Sequence, residues 1–396
     1  MIDVIGGTYR EFCAFPEFDD IYGSGLRSVM NLLTIDPQLD VFYHTCAGPR
    51  SFDYLEQVRK VFNGLKIDCR AIERSGSFYY EHPMATPRVF YPSEHITIKT
   101  RGERVLVFGM IEADSCIEAN WCVYDPQSPV NPKSFIETMS SANHLTIVLN
   151  RAEASKLTGE NDVFKIRDSL FSKEQCECLV LKCGPLGAMV FTSAQADGVS
   201  IPSYKTNAVR PIGSGDVFTS AFALNWFKGK DPVASALIAS KATAAYCEKG
   251  VFIQEPFGDF SPFNFIPRQK KPIVYLAGPF FTLQDTWMIN ECYQCLCHLG
   301  LDVFSPLHHI GRGDANEVAP RDIEGIDKCD IVFALLDHLD SGTLFEIGYA
   351  ISKQKKVIVY VQNEREEDLK MLSGTGCIIE KDFSTALYKT YWGAYE

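Results

Sequence analysis

Three carboxylates fall within the stretch Asp337-His-Leu-Asp340-Ser-Gly-Thr-Leu-Phe-Glu346-Ile-Gly-Tyr-Ala350. A carboxylate held near the start of a helix can attack an electrophilic carbon or stabilise a developing cation, and a second one six positions earlier can give or take a proton. Glu346 and Asp340 have that spacing. A capping aspartate followed by a solvated glutamate has it too, so the pattern alone leaves both readings open. Upstream, Pro211-Ile-Gly213-Ser214-Gly215-Asp216 sets two glycines before an apolar segment. Glycines there expose backbone N–H groups at a helix N-terminus, where the dipole favours a phosphoryl group, and Asp216 in the first turn can accept a proton from a hydroxyl. A simple turn with an N-cap fits the same four residues.

These side chains need elements to hold them. Asp330-Ile-Val-Phe-Ala-Leu-Leu336 reads as a buried parallel strand, which puts Asp337 and Asp340 at its carboxyl end, where open α/β sheets place ligands. Glu346 then lies one or two turns into the next helix. Strand patterns at 2–5, 41–43, 104–109, 121–124, 145–149 and 178–182 alternate with helical ones at 26–33, 52–62, 216–228 and 232–247, and a second series starts at Ile273, with strands at 301–304, 331–336 and 357–361. The fold class is therefore α/β in two domains, each a mostly parallel sheet with helices on both faces. At 396 residues the chain exceeds what one core usually supports. The boundaries expected are 1–256, a proline-rich and basic linker at 257–271, and 272–396. Residues 67–100, rich in aromatic and β-branched types, read as an antiparallel flap or edge sheet.

A net charge of -12 argues against nucleic-acid wrapping and against anionic membranes. No charged-then-apolar leader follows Met1, and no apolar run approaches the ~18 residues of a membrane span, so a cytoplasmic protein is expected. The fourteen cysteines sit mostly in apolar segments and read as reduced thiols. Cys292, Cys295, Cys297 and His298 lie in a helical pattern without a second Cys/His pair at zinc spacing, and a metal site is not expected there.

The first half resembles the ribokinase-like (PfkB) carbohydrate and nucleoside kinases. The carrying residues appear in order: the glycine turn Gly23 to Gly25 with Asn31; Asn150-Arg-Ala-Glu153 followed by Leu157-Thr-Gly159; Gly184-Pro-Leu-Gly187-Ala; and Gly213-Ser214-Gly215-Asp216. The resemblance implies a ribokinase-like fold, Asp216 as base, the backbone of Gly213, Ser214 and Gly215 as anion hole, Gly184 and Gly187 near ATP, and Asn150 and Glu153 near Mg2+. It further implies that Glu11 and Asn31 bind a sugar or nucleoside, with Glu11 standing where the family commonly has Asp. Arg210-Pro211 replaces the family's usual Asp-Thr before the glycine turn.

Residues 272–396 resemble the nucleoside 2-deoxyribosyltransferases and related deoxynucleoside 5'-phosphate N-glycosidases, through Tyr275-Leu-Ala-Gly278-Pro-Phe-Phe, Asp322-Ile-Glu-Gly-Ile326, Cys329-Asp330 and Asp340-Ser-Gly-Thr-Leu-Phe-Glu346. That resemblance implies a smaller flavodoxin- or Rossmann-like fold with no cofactor. Glu346 is the implied nucleophile, Tyr275 orients it, and Asp340 or Asp322 manages the proton on the departing base. Gly278, Gly342 and Arg312 are implied near the substrate, a nucleoside or nucleotide, and a homodimer or higher oligomer is implied because a neighbouring subunit often completes the pocket. The aromatic tail Tyr391-Trp-Gly-Ala-Tyr395 reads either as part of such an interface or as a C-terminal anchor. Together the halves imply a bifunctional enzyme of nucleoside metabolism, or alternatively a ligand-sensing kinase-like domain controlling a glycosidase that consumes nucleotides or NAD.

Overall fold

The computed structural model describes residues 1–265, 268 and 270–396. Of the expected linker, residues 266, 267 and 269 lie outside the described residues. The chain divides into two compact units, residues 1–206 with 210–263, and residues 207–209 with 264–396.

The first unit is organised on a nine-stranded sheet. Its spatial order is Val199–Ile201, Ala188–Phe191, Cys178–Lys182, Ser141–Asn150, Ala113–Asp125, Ile96–Phe108, Ile2–Ile5, Val41–Ala47 and Leu65–Ala71. Neighbours pair in parallel except on the two sides of Ala188–Phe191. Side chains alternate across it with the period of two that a strand imposes. Val4, Leu106 and Val148 face one core, shared with the helices Gly23–Ile35, Pro49–Val61, Ser214–Phe227 and Pro232–Lys249, while Ile5, Val107 and Ile147 face the other, shared with Ala154, Ile166 and Leu170. Helix Ser214–Phe227 is buried from Asp216 onward and packs between Gly23–Ile35 and Pro232–Lys249. That burial on all sides explains its near-absence of charge.

Two expectations change here. Leu65–Ala71 is a parallel edge strand of the main sheet, and the second sheet is a four-stranded one, Phe18–Tyr22, Tyr9–Cys13, Ser77–Tyr80 and Arg88–Phe90, whose central pair is parallel. Residue types in 67–100 mark strands, but the partner of Ser77–Tyr80 lies far upstream, where local composition cannot point to it. The stretch 257–263 also packs onto the first unit: Lys205 N–H donates to Ser261 O at 3.0 Å, Phe263 N–H donates to Ser203 O at 2.8 Å, and Phe263 is buried.

The second unit is a five-stranded sheet, Asp302–Phe304, Ile273–Ala277, Ile331–Leu335, Lys356–Tyr360 and Ile378–Glu380, parallel throughout. Tyr275, Ala277, Val332, Ala334 and Val359 pack against Ile326 of helix Ala315–Lys328 and against Ile347 and Ala350 of helix Ser341–Ser352. Helix Phe383–Ala394 also packs on this sheet, and its Tyr391 and Trp392 are buried, so the aromatic tail anchors the unit's own core. All fourteen cysteines are free thiols, and Cys292 and Cys295 are buried while Cys297 is exposed. Among the described residues no helix is long and apolar enough to cross a membrane.

Candidate active sites

In the second unit, Tyr275 is fully buried in its strand and donates its hydroxyl hydrogen to Glu346 Oε1 at 2.6 Å. Helix Ser341–Ser352, which carries Glu346, starts where Asp340 Oδ2 accepts hydrogen bonds from Thr343 N–H and Thr343 Oγ1, both at 2.8 Å. Asp340 thus caps the helix and also lines the pocket. The strand reaches this point through His338 and Leu339 at φ +71° and +51°, a left-handed conformation uncommon outside glycine and concentrated at functional sites.

Glu346, Asp322 and Asp340 border one cleft of about 260 Å³, walled by Gly278, Phe280, Arg312 and Gly342. Burial pushes Glu346 up to about 7, the charges of Asp322 and Asp340 add to the rise, and the Tyr275 hydrogen bond opposes it. Burial also raises Asp322, whose Oδ1 is buried without a partner among the described residues. Carboxylates sharing a cavity resist simultaneous ionisation, so the site tends to keep a proton among Glu346, Asp322 and Asp340. Arg312 is exposed and donates to Phe280 O at 3.3 Å. His308 bonds Ser305 and Asn290, each at 3.0 Å, and His309 bonds Ser305; neither borders the cleft.

The first unit holds a cleft of about 390 Å³ bordered by Glu11, Arg27, Asn150, Glu153, Lys182, Gly184 and the turn Gly213 to Asp216. Gly213 adopts φ +78° immediately before helix Ser214–Phe227, and no side chain caps that helix; Ser214 and Asp216 N–H donate to Pro211 O and Gly213 O at 3.0 and 3.1 Å, and the helix dipole at this end favours an anion. Asp216 Oδ2 accepts from Arg27 Nη1 at 2.8 Å and Oδ1 accepts from Gln127 Nε2 at 2.6 Å. Arg27, 3% exposed, also donates to Glu11 at 2.5 and 3.2 Å, and Glu11 accepts from Gly23 N–H at 2.9 Å. Burial works against the Arg27 charge, but Glu11 and Asp216 outweigh it and hold the guanidinium above its ordinary value.

Deeper in the cleft, Lys182 Nζ donates to Asp125 Oδ2 at 2.6 Å, and Thr219 donates to the same oxygen at 2.8 Å. Lys182 too is held above its ordinary value, Asp125 and Glu153 prevailing over burial. Asn150 and Glu153 form a reciprocal capping box at the start of helix Arg151–Thr158, and burial pushes Glu153 up to about 7, with Asp125 adding to the rise.

The structure therefore gathers Glu11, Asn150, Glu153, Gly184, Gly213, Ser214, Gly215 and Asp216 at one cleft and Gly278, Arg312, Asp322, Asp340, Gly342 and Glu346 at another, with Tyr275 beneath Glu346. Two residues expected at the first cleft lie elsewhere. Asn31 donates to Ser220 Oγ at 2.9 Å and to Val217 O at 3.3 Å, tying two helices together. Gly187, at φ +92°, allows close backbone approach: a Cβ there would sit 2.0 Å from Ile201 O. Sequence reading missed Arg27, Gln127, Asp125 and Lys182. A signal existed for three of them: Arg27 is a lone charge on the same face as Asn31 in an apolar helix, and Asp125 and Lys182 each end a parallel strand at its carboxyl end.

Comparison with known proteins follows this division. Residues 108–253 match the pfkB family carbohydrate kinase model, and residues 274–383 match the nucleoside 2-deoxyribosyltransferase model. An uncharacterized protein of Ureaplasma parvum serovar 3 is 35% identical over 102 residues, a match spanning 22% of this chain and 65% of that protein's length. Among solved structures, fructokinase from Vibrio cholerae O395 aligns with a TM-score of 0.51 at 10% identity, over 64% of this chain and 96% of its own. Ribokinase from Thermotoga maritima aligns with a TM-score of 0.47 at 15% identity, over 64% of this chain and 94% of its own. The first unit has a ribokinase-like fold, and the second is a separate α/β unit on a parallel sheet.

Proposed function

We propose that the second unit breaks the N-glycosidic bond of a nucleoside or nucleotide, passing the glycosyl group first to Glu346 and then to water or another base. The observation that carries this reading is the 2.6 Å hydrogen bond from Tyr275 to Glu346 in a cleft shared with Asp322 and Asp340. Ionised Glu346 attacks the anomeric carbon as the C–N bond breaks, the bonding electrons leave with the base, and Asp322 or Asp340 supplies its proton. The resulting ester is displaced by the incoming water or base, whose proton returns to the same carboxylate. Tyr275 fixes the attacking oxygen, and the neighbouring negative charges favour an oxocarbenium-like transition state. The test is acid quench of a reacting sample followed by peptide mass spectrometry: a glycosyl adduct on the Glu346 peptide supports the reading, and turnover by Glu346→Ala protein removes it.

We read the first unit as a sugar or nucleoside kinase domain using ATP and Mg2+. The residues fit both groups: the positive end of helix Ser214–Phe227, which no side chain caps, suits the transferred phosphoryl, and Glu153, which borders the cleft with Asn150 beside it, would hold the metal. Bound Mg2+ would neutralise phosphate charge there. Asp216 receives the proton of the acceptor hydroxyl. ADP formation dependent on an added sugar or nucleoside, and lost in Asp216→Asn, tests this. Phosphorylation followed by cleavage joins the two units into one sequence.

A second reading has the first unit as a sensor that binds its ligand without turnover and controls a nucleotide- or NAD-consuming glycosidase. It is favoured by the engagement of both Asp216 oxygens, by Arg27 and by Gln127. Ligand binding without ADP formation separates it from the first.

A further inference from the structure

Glu11, Arg27 and Asp216 form a buried charged chain across the first unit's cleft, linking the four-stranded sheet through Glu11 to the helix Ser214–Phe227 through Asp216. Arg27 also lies hard against the glycine turn: a Cβ added to Gly213 would meet Arg27 Nε at 2.1 Å. Its Nε is buried and has no partner among the described residues. The guanidinium is thus wedged between the carboxylate that would take a proton and the turn whose N–H groups would hold a phosphoryl group. An acceptor hydroxyl has to stand in that same place to be phosphorylated, within about 3 Å of both.

We propose that Arg27 is a gate on phosphoryl transfer: a neutral sugar or nucleoside reaches Asp216 only when Arg27 passes wholly to Glu11. This rests on reading Asp216 as the base. In the transfer itself the acceptor oxygen forms a bond to the γ-phosphorus of ATP, the bond from that phosphorus to the ADP oxygen breaks, and the hydroxyl proton moves to Asp216. Arg27 can yield without becoming an unpaired buried cation, because its contacts to Glu11 engage both guanidinium nitrogens that also serve Asp216 or lie next to it. Glu11 sits on a strand of the smaller sheet, so displacement of that sheet relative to helix Ser214–Phe227 would move the guanidinium with it. Gln127, holding the other oxygen of Asp216, keeps the carboxylate oriented while this happens.

The test measures ADP formation and phosphorylated product with Mg-ATP and a panel of neutral sugars and nucleosides. The proteins are the full-length chain, Arg27→Lys, the double variant Arg27→Met/Glu11→Gln, and each of these with Asp216→Asn. The double variant removes the charge of Glu11 together with that of Arg27, so Glu11 is not left unpaired, and Asp216 keeps Gln127 on its Oδ1; circular dichroism and thermal melting establish that it is folded. A gate predicts that product formation by the double variant at subsaturating acceptor exceeds that of the parent by at least about tenfold, a change in kcat/KM. Asp216→Asn in the same background erases the gain. Arg27→Lys, which keeps the charge but loses the forked geometry, falls between. A folded double variant that forms no more product than the parent overturns the proposal, as does a loss of parental turnover on Arg27→Lys, which would make Arg27 a substrate-binding residue. If the gain persists in Asp216→Asn, the reading of Asp216 as base fails instead.

Discussion

A carboxylate buried beside two others is a poor nucleophile until it gives up its proton, and Glu346 is in that condition at about pH 7. The base-releasing rate should therefore rise with pH along an acidic limb centred near 7. Because the Tyr275 hydrogen bond favours the ionised form, Tyr275→Phe should move that limb to higher pH and lower kcat, which a pH profile of kcat/KM reads directly. Stability has the opposite slope. The folded-state value, about 7, is above the ordinary 4.5, so the folded protein holds a proton that the unfolded chain releases, and stability contributed by that proton is present at low pH and lost as pH rises through that window. Glu346→Gln should remove that slope, making the variant more stable than the parent at pH 8 by about 1–3 kcal/mol, since the group is partly open to solvent. Glu346 and Asp340 were legible because their spacing survives as a local motif. Arg27 was not, because its meaning depends on Glu11 and Asp216, partners that only the fold brings to it.

Elements place these groups, and some residues assigned to chemistry serve the elements as well. Asn150 accepts from Glu153 N–H at 2.9 Å and Glu153 accepts from Asn150 N–H at 2.8 Å, so the pair starts a helix. Asn150→Ala should cost ~1 kcal/mol in a denaturant titration, apart from any change in nucleotide affinity. Helix Ser214–Phe227 presents Asp216 from within the core, and Phe222 is fully buried there. Phe222→Ala should destabilise the first unit by ~3–5 kcal/mol and weaken ligand binding at the cleft with it. The alternation of apolar strands with helices was readable because a parallel sheet covered on both faces needs continuous apolar strands. The smaller sheet was not readable as built: its central pairing joins residues 9–13 to 77–80, and pairing at that separation leaves no periodic trace in sequence.

At the scale of the whole molecule, each unit has its own parallel sheet, its own core and its own cleft at the carboxyl ends of strands. The units divide between residues 263 and 264, inside the stretch 257–271 whose prolines and basic residues interrupt the apolar alternation. Phe281, Leu283 and Phe345 are exposed at 71%, 87% and 64%, and we propose that copies of the chain bury such apolar side chains between them. Light scattering coupled to size exclusion should report a dimer or larger, and Leu283→Glu should shift it toward monomer. The central claim is that Glu346 cleaves an N-glycosidic bond, and the most direct measurement is chromatographic product analysis. Parent and Glu346→Ala proteins are each incubated with nucleosides, deoxynucleotides and NAD, with and without Mg-ATP. Free base released by the parent and reduced about 10³-fold or more in Glu346→Ala is the predicted result. Base release that survives the substitution, or no release from any member of the panel, would contradict the account.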